Sequence, residues 1–475
     1  MDTAPLIALG RAALARGAPN EAETHFRQAR DAGRDDAELH YCLAMTARQW
    51  GDLPEADRLC ATALERGPAD PQIHLDLGEI RRAQGHLAEA VALFRRATVL
   101  APDTAAAPAA LGAALLQLHR PDLALPSLHQ ALALDPALVN VHGDAAICLC
   151  ALNRYPEALD HYRAVHRLEP ANNSARYLEA LAQLALGDFD NGWRKHEARW
   201  YATLGQDHRT RIAGPSWLGE DDLAGRTILL HAEQGLGDTI QFLRYVPLVA
   251  ALGARVILQV QPPLAPLLAG TADVYSRGET LPAFDTNCSL MSLPRAFRTR
   301  LDTIPARIPY LTAPPEHRAR WRDRLGPPDG RRRVALAWSG SPTVWNRSMP
   351  LAALAPLLAR PDCAFHVAQT EITDTDRTTL QGMPGLHDHS GDLADFADTA
   401  ALVSLMDLVI SVDTVLAHLG GALGRPTWTM LPLGADYRWL TAGEASPWYP
   451  SMRLFRQPAL ADWPAVVRAI QQALV

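Results

Sequence analysis

The chain has 475 residues, 48% of them hydrophobic and 20% charged, a globular composition long enough for two or three domains. A net charge of -7 and a pI near 6.2 exclude a general nucleic-acid binder. The six cysteines are scattered with no C-x-x-C pair, which excludes a disulfide framework or zinc site and fits a reducing cytoplasm.

At the start, Met1 to Gly17 lacks the apolar core and cleavage-type end of a signal peptide. From there one helical pattern recurs six times in about two hundred residues, every 34 positions. Its best copy runs from Pro71 to Thr104, with Leu77-Gly78, Gly85, Ala90, Phe94, Ala97 and Pro102. Neighbouring copies show Leu9-Gly10, Gly17, Ala22, Phe26 and Ala29; Leu43-Ala44, Gly51, Ala56 and Pro68; and Leu111-Gly112, Ala124, Leu128 and Pro136. A fifth shows Ala145-Ala146, Ala158, Tyr162 and Pro170. Small residues belong where two helices cross closely, larger apolar ones fill the gap, and Pro ends the second helix. The pattern resembles the tetratricopeptide repeat, a helix-turn-helix unit of this period. The sixth copy decays: Leu186-Gly187-Asp188-Phe189 keeps the turn, but Gly192-Trp193 and Arg199-Trp200 take the repeat positions. Such a terminal unit is a cap or a docking surface for the next domain.

A polar linker over Gly205 to Arg211, then Pro215, closes the repeat domain, placed at residues 1–204. Beyond Gly225 the period changes. Thr227 to Ala232 reads as a buried strand, Gly235-Leu-Gly237 as a loop, Thr239 to Leu252 as an apolar helix and Arg255 to Val260 as a strand. The alternation restarts after a Pro-rich joint, Pro305 to Pro328. Arg333 to Trp338, Phe365 to Gln369, Leu408 to Val412 and Thr427 to Leu431 are its strands. Alternating short strands and helices imply parallel sheets, in two halves at 213–325 and 326–475 with a cleft between them. The apolar stretch Thr399 to Leu423 carries Asp407 and Asp413, so it is buried protein and no membrane span is expected.

Two loops follow strand ends, where open α/β sheets bind ligands. One is Glu233-Gln-Gly-Leu-Gly-Asp238-Thr239; the other runs from Asp413-Thr414 through His418 to Pro426. Their glycines allow close backbone approach, and each precedes a helix N-terminus that favours anions. Only Lys195 among the 45 basic residues is lysine, so a phosphate site must use Arg, backbone N–H groups or a helix end. No metal is expected.

From about Ala213 onward the chain resembles the glycosyltransferase domain fused to tetratricopeptide repeats in many bacteria, which is similar to the lipopolysaccharide heptosyltransferases. The matching stretches are His231 to Phe242, Leu281 to Asp285, Ala337 to Pro342, Asp395 to Ala401, Val412 to Pro426 and Ser446 to Pro450. The resemblance implies an all-α tetratricopeptide solenoid followed by an α/β GT-B fold of two Rossmann-like halves, the C-terminal one holding a nucleotide sugar. It implies that Asp238 is the catalytic base and that Asp413, Thr414 and His418 meet the donor. Gly235, Gly237, Trp338, Gly340, Arg347 and Gln369 complete the expected donor-binding set. The architecture is also similar to the O-GlcNAc transferases, which implies a protein acceptor. The asparagine ladder of that family is replaced here by Ala8, Cys42, Asp76, Ala110, Asp144 and Leu178, and its C-terminal catalytic histidines find no match.

The leading expectation is therefore a cytoplasmic, inverting, metal-independent glycosyltransferase. It needs no cofactor beyond a nucleotide-sugar co-substrate, and its repeats recruit a protein for O-glycosylation. Asp76 and Asp144, at one repeat position, favour a soluble protein partner. The alternatives are a transferase acting on lipopolysaccharide or another glycan, and a non-catalytic scaffold with a degenerate GT-B domain.

Overall fold

The computed structural model describes residues 2–202, 212, 214–341, 344–383 and 385–474. The expected linker, Gly205 to Arg211, lies outside the described residues. The chain divides into two compact units, Met1–Pro170 and Ala171–Val475.

The first unit is five helix pairs. They are α1 (Ala4–Ala15) with α2 (Pro19–Asp31), α3 (Ala37–Trp50) with α4 (Leu53–Arg66), and α5 (Pro71–Ala83) with α6 (Leu87–Leu100). α7 (Ala106–Gln117) with α8 (Pro121–Leu134), and α9 (Val139–Ala151) with α10 (Tyr155–Leu168), complete it. α4, α6, α8 and α10 each end two residues before a proline of the repeat, which cannot continue a helix. Inside each pair the small position meets the large one: a Cβ on Gly78 would lie 2.5 Å from the Phe94 ring, and Phe94 is fully buried. Gly78→Ala therefore trades a helix-propensity gain of about 0.5–1 kcal/mol against overpacking of about 1–3 kcal/mol. Net destabilisation is expected. A urea midpoint at or above that of the wild type contradicts it.

The turn inside each pair takes a left-handed residue. Gly17, Gly51 and Gly85 have φ of 72°, 80° and 84°, and His119 and Asn153 continue the series at 58° and 60°. The 34-residue period thus survives in backbone conformation where glycine is lost. Asp76 is buried and accepts hydrogen bonds from Tyr41 Oη (2.7 Å), Arg48 Nη1 (2.5 Å) and Gln72 Nε2 (2.7 Å). Its carboxylate cross-links α3 to α5 and is not held out to a partner, so Asp76 carries no weight for partner choice.

The second unit opens with α11 (Asn173–Ala185), α12 (Phe189–His196) and a 3-10 turn, Glu197–Trp200. Two parallel sheets follow. The first has strands β1 (Thr227–His231), β2 (Arg255–Val260), β3 (Asp273–Ser276) and β4 (Thr286–Ser289), in the order β3-β2-β1-β4. The second has β5 (Arg332–Ala337), β6 (Cys363–Val367), β7 (Leu386–Asp388), β8 (Leu408–Val412), β9 (Thr427–Leu431) and β10 (Met452–Arg456), in the order β10-β9-β8-β5-β6-β7. Counted from its own first strand, the second sheet has the order 3-2-1-4-5-6 of dinucleotide-binding doubly wound folds. Its core, which includes Leu336, Phe365, Ile410, Val412 and Met430, is continuous under the strands.

The expected helix over Thr239 to Leu252 is three pieces: α13 (Leu236–Phe242), a 3-10 turn and a short helix Val246–Ala250. Pro247, in the first turn of the last piece, supplies no backbone N–H to carry one helix through. The Pro-rich joint contains a helix, Pro315–Leu325, begun by proline at its first position, where proline is tolerated. No helix among the described residues is long and apolar enough to cross a membrane.

Candidate functional site

In each sheet, the strand order reverses beside the first strand of that sheet. The loops after β1, β5 and β8 therefore emerge at the switch points, where such sheets bind ligands. They carry nearly all of the expected site residues.

The loop after β1 begins α13. Gly235 is its N-cap residue, with its N–H donating to Asp238 Oδ2 at 2.8 Å. Gly237 allows the closest approach: a Cβ there would lie 2.8 Å from His418 Cδ2. Any side chain at 237 would push apart the loops of the two sheets. Asp238 is partly buried, and its other oxygen accepts from Arg438 Nη2. Burial pushes the Asp238 carboxyl above the usual carboxylate range, with Arg438 opposing.

Across from it, the loop after β8 starts the helix Val415–Ala422 with Thr414 as N-cap, its Oγ1 accepting from Leu416 N at 3.3 Å. His418, one turn on, is buried, shares a 2.9 Å hydrogen bond between Nδ1 and Tyr449 Oη, and stacks on Trp439 at 5.2 Å. Burial, then the cations Arg438, Arg244 and Arg347, hold its pKa well below the ordinary value, so the ring is neutral at pH 7. Its Nε2 lies 4.0 Å from Asp413 Oδ1. Burial, with Asp436 adding to it, pushes Asp413 up to about 6, against the pull of Arg347 and Arg438.

The loop after β5 joins this cluster. A Cβ on Gly340 would lie 2.9 Å from Thr414 Cγ2 and 3.2 Å from Arg347 Nε, and that Nε is enclosed with no hydrogen-bond partner among the described residues. Gly235, Gly237, Asp238, Gly340, Arg347, Asp413, Thr414 and His418 thus surround one place. Trp338 and Gln369 are used differently. The Trp338 ring is fully buried in the sheet core, donating to Asp376 Oδ2 at 2.9 Å. Gln369 accepts from Trp338 N at 2.9 Å and donates to Ser339 Oγ at 2.9 Å. Both shape the loop from behind.

Sequence reasoning missed Arg438, in the loop after β9, and Arg244. Arg244, buried, donates to Trp448 O at 2.6 Å and Tyr310 Oη at 3.1 Å and lies 4.5 Å over the Tyr449 ring. It also missed the pair below the first loop. Arg199, fully buried, grips Glu233 through Nε (2.9 and 3.0 Å) and Nη2 (2.8 Å), and its Nη2 also donates to Ser292 Oγ at 2.7 Å. A cavity of about 500 Å³ opens beside this pair, lined among others by Glu197, Trp200, His231, Asn287, Ser289 and Arg295. The only hints were the residue types: an arginine in a decayed repeat and a glutamate at a strand end.

Among the described residues, one His/Asp group, His317, Asp395 and Asp398, is close enough to hold a cation. Both carboxylates are already engaged, Asp395 by the N–H groups of Ala397 and Asp398, and Asp398 by Arg320 and Trp321 Nε1.

Comparison with known proteins identifies the N-terminal repeats. Tetratricopeptide-repeat family profiles match residues 7–71, 43–110 and 115–184, so the N-terminal part is built of tetratricopeptide repeats; the region with parallel sheets that follows is α/β. The chain is similar to Protein FlbA of Caulobacter vibrioides, 27% identical over 498 aligned positions that cover 98% of this chain and 77% of FlbA. Among solved structures it is similar to pilF of Pseudomonas aeruginosa, at 21% identity and a TM-score of 0.39, over 43% of this chain and 93% of that one. It is also similar to YrrB, described as a repeat protein with an unusual peptide-binding site, at 20% identity and a TM-score of 0.35, over 38% and 93%.

Proposed function

We propose that the chain is an inverting glycosyltransferase of GT-B type that takes a nucleotide sugar and uses its repeats to recruit a protein acceptor for O-glycosylation. One observation carries the reading. Loops from two separate parallel sheets meet, one offering a carboxylate, Asp238, and the other a helix N-terminus with two arginines. That is the division of labour such a transfer needs. The acceptor hydroxyl oxygen bonds to the anomeric carbon and its proton passes to Asp238. The bond from sugar to phosphate breaks, and its electron pair leaves on the nucleoside diphosphate. The N-terminus at Thr414, Arg347 and Arg438 stabilises that growing charge. Neutral His418 adds no repulsion to an incoming cationic sugar centre.

Substituting Thr414 and His418 together with Ala removes the cap and the ring that backs Asp413. Binding of a nucleotide sugar is expected to weaken by about tenfold or more, with the repeats still folded. Calorimetry with the donor found by a thermal-shift screen measures this, since a true donor raises the melting temperature by mass action. Unchanged affinity places the donor elsewhere.

A further inference from the structure

We propose that Arg438 guards Asp238 and is drawn off it by the donor's diphosphate, so that the base is released only when a donor is bound. This rests on the donor-site reading above and adds an order of events to it.

Arg438 is buried and sits among three carboxylates. Its Nη1 donates to Asp436 Oδ1 at 2.6 Å, within its own loop. Its Nη2 reaches across to Asp238 Oδ1 on the other sheet's loop. Its guanidinium lies 4.5 Å over the Tyr437 ring, and Asp413 is the third acid facing it. Its Nε is enclosed and has no partner among the described residues. The hold on Asp238 is thus single-pronged, while one N–H of the fork stands unused. A phosphate accepts two parallel N–H bonds from a guanidinium and matches its fork better than one carboxylate oxygen does. Asp436 keeps the side chain tethered while it changes partners.

The exchange has a chemical consequence. A neighbouring guanidinium weakens a carboxylate as a base. Once Arg438 turns to the diphosphate, Asp238 is left facing Asp436, Glu233 and the hydroxyls of Tyr177 and Tyr437. The Gly235 N–H is its remaining close donor. Burial and like charge then make it a stronger base. Without donor, the base stays neutralised.

Calorimetry on the full chain tests this at pH 6, with UDP, GDP, dTDP and ADP, in two buffers of different ionisation enthalpy. The tightest of the four is expected to bind the wild type with more proton uptake than it shows with Asp238→Asn. Arg438→Gln should weaken it by about tenfold or more and remove the part of the uptake that depends on Asp238, and Arg438→Lys should recover part of the affinity. Asp238→Asn should bind the same nucleotide severalfold more tightly, because the competing carboxylate is gone, and with less uptake than wild type, the remainder coming from Asp413 beside Arg438. A merely structural Arg438–Asp238 contact predicts no gain. Asp238→Asn is isosteric and carries the test even if Arg438→Gln fails to fold. Affinity in Asp238→Asn equal to or below wild type, or uptake there as large as in the wild type, overturns the guard and leaves the donor site standing. Failure of all four nucleotides to bind the wild type overturns the donor site and the guard with it.

Discussion

Asp238→Asn is expected to lower turnover on the native acceptor by about two to four orders of magnitude, the usual loss when a positioned base is removed. Fold and donor binding should survive. Asparagine caps a helix about as well as aspartate, so the start of α13 holds while the ability to take a proton is lost. The contrary reading, that Asp238 only caps the helix and ties down Arg438, predicts a rate within a fewfold of wild type. Single-turnover kinetics decide between them, because they isolate the chemical step from product release. A wild-type rate would end the assignment of Asp238 as base.

Arg199→Met is expected to destabilise the second unit by about 3–5 kcal/mol, the cost of leaving a buried charge without its partner. Burial by itself pushes the Glu233 carboxyl up, but the Arg199 guanidinium and the Ser289 hydroxyl outweigh it and hold the pKa below the ordinary range. A depressed acid contributes stability above its unfolded pKa and loses it as pH falls through the folded value. In Arg199→Met the same carboxyl rises, so the variant relieves its buried charge by taking up a proton. The stability gap between the two proteins should therefore narrow as pH is lowered from 7 toward 5, and Arg199→Met/Glu233→Gln should recover part of the loss. Urea unfolding at the two pH values measures both. A gap independent of pH contradicts the ion-pair account. The same pair dictates how to separate the repeats from the α/β region: a chain starting near Ala213 discards Arg199, whereas one starting at Ala171 keeps it. The Ala171 chain should bind nucleotide and lose turnover on a macromolecular acceptor, which then lacks its positioning surface. Equal activity with and without the first unit removes the recruitment role.

What was readable in the sequence follows from where each residue sits. The repeat was plain because each helix pair repeats the same close crossing, so Gly10, Gly78 and Gly112 recur with their large partners. Strands β1, β2, β5, β6, β8 and β9 were legible as apolar runs because they lie inside sheets or carry core residues on both faces. The four strands not foreseen, β3, β4, β7 and β10, are the four sheet edges. Asp-Val-Tyr-Ser, Thr-Asn-Cys-Ser and Leu-His-Asp are short and polar, as edges tend to be, and they leave no apolar signature. Asp238, Asp413, Thr414 and His418 stood out because chemistry-bearing types followed strand ends. Arg438 did not, because its meaning lies in a partner 200 residues away. His119 and Asn153 hid for another reason: their left-handed turns carry no glycine to announce them.

The division at Pro170 falls at the end of a repeat, and the Arg199–Glu233 pair lies wholly beyond it. The sixth helix pair is therefore committed to the α/β core and is not exchangeable with the other five. Those five are interchangeable currency for unequal recombination: in-frame gain or loss of 34 codons adds or removes a whole stacking unit, as in other nearest-neighbour arrays. On the proposed reading, lineages can lengthen or shorten the recruiting surface while the reaction chemistry is inherited unchanged, so acceptor range and catalysis would be free to drift at different evolutionary rates.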